Sequence, residues 1–178
     1  MKTILNSHQF GIVIERLSHQ LVENNLALDN TAIIGIQPRG IALSNRIFDY
    51  LTQHLKIKNL SYGKLDITFY RDDFNTSEEM RVPNATEIDF SIEGKTVVLI
   101  DDVLFTGRTI RSAMDAILDF GRPAKVELMV LIDRRFSRQL PIQADYVGRS
   151  IDSIISQKIK VKWAEQDKKD EVLLIDNE

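Results

Sequence analysis

Cysteine is absent from this 178-residue chain. That excludes a disulfide framework and any thiolate metal site, and it fits a reducing cytosol. The opening MKTILNSHQF has neither the apolar core nor the small-residue cleavage site of a secretory signal. No apolar run approaches the roughly 18 residues of a membrane span. His8, His19 and His54 have no metal-ligand spacing. The GxxxxGK(S/T) phosphate loop and the GxGxxG dinucleotide turn are both missing. Repeats, low-complexity tracts and long linkers are missing too. The expectation is one soluble, cytoplasmic domain spanning residues 1–178, with 43% hydrophobic and 28% charged residues.

Charge is scarce in net terms, at −3, but unevenly spread. Residues 164–178 carry six acids and two lysines, a net of −4, so residues 1–163 come to +1. The acidity belongs to a C-terminal tail, and a local basic face is compatible with the rest.

What is present alternates between two periods. Phe10, Val13, Ile14, Leu17 and Leu21 recur at helical spacing behind Asn6 or Ser7 as cap. A β-rich run at residues 31–36 is broken by Gln37-Pro38-Arg39-Gly40, and residues 41–55 read as a helix with Ile41, Ile47, Leu51 and Leu55 inward. Leu65, Ile67 and Phe69 alternate with polar neighbours as in a strand. Residues 71–90 then lose all periodicity, a gap long enough to mark a lid or binding loop. Further strands are expected at residues 96–100, 126–132 and 144–147, with a helix at 109–120 stopped by Gly121-Arg122-Pro123. In residues 158–163, Ile159, Val161 and Trp163 share one face while three lysines share the other, as on a solvated edge strand. Val172 to Ile175 could add one more strand. Trp163 and Phe136 are expected to pack internally. Strands alternating with helices predict an α/β fold with a mostly parallel, twisted sheet flanked by helices. Such sheets bind ligands at the carboxyl ends of their strands.

One stretch carries the chemistry: Val97-Val98-Leu99-Ile100-Asp101-Asp102-Val103-Leu104-Phe105-Thr106-Gly107-Arg108-Thr109. A buried strand ends in two carboxylates, then a glycine turn opens a helix. The helix start supplies unpaired N–H groups and partial positive charge, Gly107 permits close backbone approach, and two threonine hydroxyls stand by. That end suits a phosphate. Asp101 and Asp102 suit a vicinal diol, or a Mg²⁺ held mainly by ligand oxygens and water. Together the two ends fit a ribose 5-phosphate.

This stretch resembles the phosphoribosyl pyrophosphate (PRPP) signature of type I phosphoribosyltransferases. GIQPRG at 35–40, GKLDITFYRDD at 63–73, RSAMD at 111–115 with GRP at 121–123, and LPIQADYVG at 140–148 are similar to one subfamily. That subfamily is the bacterial pyrimidine operon attenuation regulators that double as uracil phosphoribosyltransferases. The resemblance implies that fold, with a small hood and a mobile lid at residues 71–90. It implies conversion of uracil and PRPP to UMP and pyrophosphate with Mg²⁺, and a homodimer or higher homo-oligomer. It also implies pyrimidine-responsive binding of pyr leader mRNA. Asp101, Asp102 and Arg39 are the implied catalytic residues. Residues 97–109 with Pro38, Arg39 and Gly40 form the implied donor site, and a cis Gln37–Pro38 bond is a low-cost option in its pyrophosphate loop. Arg71 and Arg81 are candidate lid cations. Val147, Gly148, Ile151 and Ser153 belong to the implied base hood. Arg16, His19, Arg134, Arg135, Arg138 and Arg149 form the candidate RNA face.

The chain departs from the subfamily at Ile151-Asp152-Ser153-Ile154, where Ile-Pro-Thr-Ser is usual. Two alternatives therefore stay open: a purine base in place of uracil, and a non-catalytic regulator that only senses nucleotides.

Overall fold

The computed structural model describes residues 1–72 and 83–176. Its frame is a five-stranded parallel sheet built from β2 (Thr31–Ile36), β3 (Ser61–Leu65), β4 (Thr96–Leu104), β5 (Lys125–Arg135) and β6 (Tyr146–Asp152), in the order β3-β2-β4-β5-β6. A parallel sheet needs cover on both faces, and its strands read as apolar runs for that reason. All six residues of β2 are buried. Strand alternation divides the core in two. Ile33, Val98, Ile100, Met129 and Leu131 meet α1 (Ser7–Asn24) and α2 (Gly40–Asp49) on one face. Ala32, Ile34, Val97, Leu99 and Val130 meet α3 (Arg108–Ile117) on the other.

Helix α1 begins as its sequence suggests. Asn6 caps it reciprocally: its side chain accepts from the Gln9 N–H, and the Gln9 side chain accepts from the Asn6 N–H. Helix α2 runs on through a π-helical turn at Tyr50–His54, and Leu43, rather than the expected Ile41, joins Ile47 inside. Three strand expectations need correction. The strand placed around Leu65 begins at Ser61 and stops at Leu65; Thr68–Tyr70 is a 3-10 turn that leaves Phe69 exposed. The run at 126–132 extends to Arg135, because Asp133, Arg134 and Arg135 keep pairing with β6. The short strand expected at 144–147 is β6, which starts at Tyr146 and continues through Asp152.

A second sheet, ordered β1-β8-β7, is antiparallel and joins β1 (Lys2–Leu5), β7 (Gln157–Lys162) and β8 (Glu171–Asp176). The strand that Val172 to Ile175 could add is β8, which lies within the expected acidic tail and is the central strand of this sheet, with Val172 fully buried. Strand β7 is an edge, with Lys158 and Lys160 exposed and Val161 buried. Trp163 packs edge-on to Phe10, with ring centroids 5.0 Å apart. Phe136 corrects the other packing expectation: it is 87% exposed at a left-handed turn.

Arg46 on α2 ties the second sheet to the first. Its guanidinium bonds the Glu165 carboxylate at 2.8 and 3.0 Å and Asp170 at 2.7 Å, and it lies over the Trp163 and Phe10 rings. Burial alone would lower its pKa, but the two carboxylates outweigh that and raise it further above its already high value. Arg46→Ala is expected to cost about 2 kcal/mol, since it leaves two carboxylates unpaired and an aromatic pair uncovered. Amide exchange should show β7 and β8 losing protection before β2 and β4.

Candidate active site

Strand β2 sends the chain to β3 on one side, while β4 lies on its other side. The carboxyl ends of β2 and β4 therefore flank a topological switch point, where the crossovers leave a crevice. From β2 comes Gln37-Pro38-Arg39, with the Gln37–Pro38 peptide cis. From β4 come Asp101 and Asp102. Gly40 makes this closeness possible: a Cβ there would lie 2.2 Å from the Ile100 carbonyl oxygen. The start of α2 is thereby seated against β4, and an Arg39 Nη1 stands 4.0 Å from an Asp102 Oδ2. Arg39 is otherwise open, with its side chain 72% exposed.

Both carboxylates are almost fully buried. Burial pushes the Asp101 pKa up, and the neighbouring Asp102 charge pushes it further; the Asp102 N–H, donating to Asp101 Oδ1 at 2.9 Å, opposes this. Burial also raises Asp102, while Arg39 pulls it back. Two desolvated acids side by side are a charge waiting for a partner.

Past them, Gly107 adopts φ +92°, the left-handed region, and opens α3. The N–H groups of the first turn of that ten-residue helix lack intrahelical acceptors. A cavity of about 500 Å³ lies in front, lined by Asp101, Thr106, Gly107, Arg108, Thr109 and Arg71 among others. A second, of about 710 Å³, is lined by Pro38, Arg39, Asp101, Asp102, Arg134 and Lys158 among others. Arg71, Asp101, Val103, Phe105 and Thr109 border both, so the two form one cleft with two lobes.

Several expected site residues serve differently. Val97, Val98, Leu99 and Ile100 are wholly buried between the helix layers, so they support the site without facing it. Gly40 is a packing contact. Val147, Gly148, Ile151 and Ser153 are not on the cavity walls; Gly148 and Ile151 are buried in β6. Arg81 lies outside the described residues. On its far side the proposed lid is described again: Glu87 bridges Lys64 through backbone bonds of 2.8 and 3.0 Å, and Asp66 accepts from the Asn84 N–H.

The candidate RNA face divides. Arg16, on α1, donates to the carbonyls of Val147 and Gly148, and Arg149, on β6, to that of Ile4, while both stay exposed. His19 lies one turn along α1 from Arg16. Arg135 is half exposed and paired with Asp152 at 2.7 Å. Arg134 and Arg138 are corrections. Arg134 is buried and turned into the cleft. The Arg138 guanidinium is spent on the carbonyls of Leu104, Phe105, Arg134 and Ile142 and on the Asp133 carboxylate. Together with the Gln139 N–H, which donates to the Thr106 carbonyl at 2.9 Å, it braces the turn before Gly107.

Sequence reasoning missed Arg134, Lys158 and Ile159 on the cleft wall and Asp72 at its mouth. Asp72 accepts from Arg108 at 2.5 Å and lies 3.6 Å from Arg111. The available signal was the apolar run of β5, which carries Arg134 one residue past the Leu104–Asp133 pairing, beside Phe105 at the carboxyl end of the sheet. Among the described residues, no helix is long and apolar enough to cross a membrane, and no three His, Asp or Glu side chains are grouped to cage a metal. The donor set that does exist, two adjacent carboxylates at an open cleft, fits a Mg²⁺ that takes its other oxygens from ligand and water.

Residues 1–166 match the family model described as the phosphoribosyl transferase domain. A protein of Haemophilus ducreyi named Bifunctional protein PyrR is 45% identical over 174 residues, 98% of this chain and 96% of the relative. Proteins of the same name from Elusimicrobium minutum and Caldicellulosiruptor bescii are 42% and 43% identical, covering 98% and 97% of this chain and 96% and 94% of theirs. Among solved structures, the hypoxanthine phosphoribosyltransferase of Trypanosoma cruzi superposes with a TM-score of 0.73 over all of this chain and 98% of its own, at 15% identity. A hypoxanthine-guanine phosphoribosyltransferase of Bacillus anthracis gives 0.64 over 85% and 83%, at 19%. The distant pair share the fold, the near relatives share almost the whole chain, and the protein belongs to the phosphoribosyl transferase domain family, within its bifunctional PyrR group.

Proposed function

We infer that the protein is a uracil phosphoribosyltransferase that makes UMP and pyrophosphate from uracil and PRPP, and that it also regulates pyr mRNA by attenuation. The observation that carries the reading is the single cleft in which buried Asp101 and Asp102 face the opening of α3. Family membership supports it along the chain's whole length. The 5-phosphate sits at Thr106 to Thr109, held by helix N–H groups and threonine hydroxyls. The ribose diol donates to Asp101 and Asp102. Arg39, beside Asp102 but open to the cleft, takes the pyrophosphate.

Cleaving the anomeric bond builds positive charge on the sugar and negative charge on the departing pyrophosphate. The protein's part is to place both against fixed opposite charges and to hold the base in line. A bound Mg²⁺ would neutralise pyrophosphate charge from the Asp101 and Asp102 side. Arg71, at the start of the segment expected to act as a lid, borders both lobes and adds a cation beside the donor.

Turnover of labelled uracil with PRPP tests the reading: UMP should form, and a wild-type protein that forms none while binding leader RNA would leave only the regulator. Arg39→Lys keeps the charge but loses the planar fork. It is expected to raise KM for PRPP by about tenfold and to lower kcat by a similar factor.

Exposed Arg16, His19 and Arg149, on neighbouring α1 and β6, supply the RNA face. Affinity for a pyrimidine leader RNA should fall steeply with salt, and Arg149→Gln should reduce the slope of log K against log salt by about one. We place the protein in the cytoplasm, as a homodimer or higher homo-oligomer like the assembly implied by its resemblance.

A further inference from the structure

A buried guanidinium is ordinarily matched by a carboxylate, because desolvating an unpaired charge is costly. Arg134 is 5% exposed and has no acidic partner among the described residues. All its contacts are neutral. Nε donates to Ser153 Oγ at 2.9 Å, and Nη2 donates to the carbonyls of Ile154 and Gln157 at 3.1 and 3.0 Å. The guanidinium lies over the Phe105 ring, 3.9 Å from its centroid. Three hydrogen bonds and one ring thus fix the plane, and Nη1 has no hydrogen-bond partner among the described residues. Arg134 also lines the larger lobe of the cleft, together with Asp101, Asp102 and Arg39. A rigid, permanently charged group with donors to spare is aimed where a ligand goes.

Resting on the functional reading above, we propose that Arg134 reads the acceptor base: its Nη1 donates to the exocyclic oxygen at C4 of a pyrimidine, admitting uracil and rejecting cytosine, which carries an amino group at that position. Guanidinium donates and never accepts. An exocyclic amino group in the same place would set donor against donor and leave both unsatisfied in a closed site. The proposal also gives the Ile151-Asp152-Ser153-Ile154 segment a role. It does not line the cleft, but through Ser153 Oγ and the Ile154 carbonyl it holds the residue that does.

Calorimetric binding of UMP, CMP and ribose 5-phosphate to wild type, Arg134→Gln and Arg134→Lys tests this. Wild type should prefer UMP over CMP by about 100-fold or more, the range expected when a polar site meets a mismatched group. In Arg134→Gln, whose amide can present either an acceptor or a donor, that ratio should fall below about tenfold, while ribose 5-phosphate affinity stays within about threefold. Arg134→Lys should lie between, and it carries the test if the glutamine variant does not fold. An equal loss of UMP and CMP affinity in the variants would reduce Arg134 to a hood support and overturn the proposal. So would wild type binding UMP no better than CMP. If wild type binds none of the three ligands, the donor-site reading fails and this inference fails with it. If it binds ribose 5-phosphate as tightly as UMP, the donor site stands and the inference alone is lost.

Discussion

Asp101→Asn is expected to lower kcat by about 100-fold or more and, at the same time, to make the ligand-free protein more stable above neutral pH. Both effects come from the same desolvated charge. Burial, and then the charge of Asp102, hold the Asp101 pKa above the ordinary carboxylate value. Between the unfolded and folded pKa values the folded chain keeps a proton that the unfolded chain has released. Its stability is therefore greatest below the ordinary carboxylate range and declines as pH rises through the raised value. Asparagine keeps the shape, and its oxygen can still accept from the Asp102 N–H, but it has no proton to lose. Melting curves from pH 5 to 9 should show the wild-type decline flattened in the variant, with a gain of about 1–2 kcal/mol at pH 8. Equal pH dependence in the two proteins would show that Asp101 is already ionised at low cost. The gain in stability should be largest without ligand, because the bound sugar offsets the same charge.

Gly40→Ala should be the most damaging single methyl in the molecule's first crossover. The new Cβ would lie 2.2 Å from the Ile100 carbonyl oxygen and 3.1 Å from the Asp101 Cα, both backbone atoms of a strand buried on two faces. Neither can swing aside as a side chain would, so α2 must lift from β4. The expected loss is about 2–3 kcal/mol by chemical denaturation. Because the lift begins one residue after Arg39, the surviving folded fraction should have a raised KM for PRPP. A variant with native stability and native KM would mean that α2 can shift on β4 without cost.

The fold was legible wherever burial dictates period. The apolar run at residues 96–100, the helical stripe from Phe10 to Leu21 and the Asn6 cap were all readable, since each is a local pattern with one low-energy solution. The candidate site was legible because VVLIDDVLFTGRT packs its strand, acids and helix start into thirteen consecutive residues. What stayed hidden depends on contacts between distant segments. Arg134 and Arg138 look alike in sequence, as two cations in a basic run. The first is drawn inside by Phe105 and the Ser153–Gln157 backbone, and the second by carbonyls around Leu104 and Ile142. Apart from the Asp133 carboxylate and the Arg134 carbonyl, which also meet Arg138, the partners lie outside the run. Within the acidic tail the apolar run at 172–175 marked a candidate strand, and it is β8; what stayed hidden is that β8 pairs with β1 at the other end of the chain and puts Val172 and Leu173 in the core. Phe136 misled in the opposite direction: its aromatic ring suggested packing, while its left-handed backbone holds it at the tip of a turn.

The β1-β8-β7 sheet has a consequence for how the chain acquires its cleft. Thr3 meets Glu171 across 168 residues of sequence, and β7, which brings Lys158 and Ile159 to the cleft wall, pairs only with β8. Apart from Arg71 and Asp72, the smaller lobe needs no such reach, since its walls come from β4, α3 and the short turn between them. Loop closure delays distant pairings relative to local ones. The wall that carries Lys158 and Ile159 is therefore expected to form after the wall built by β4 and α3, once the end of the chain is in place.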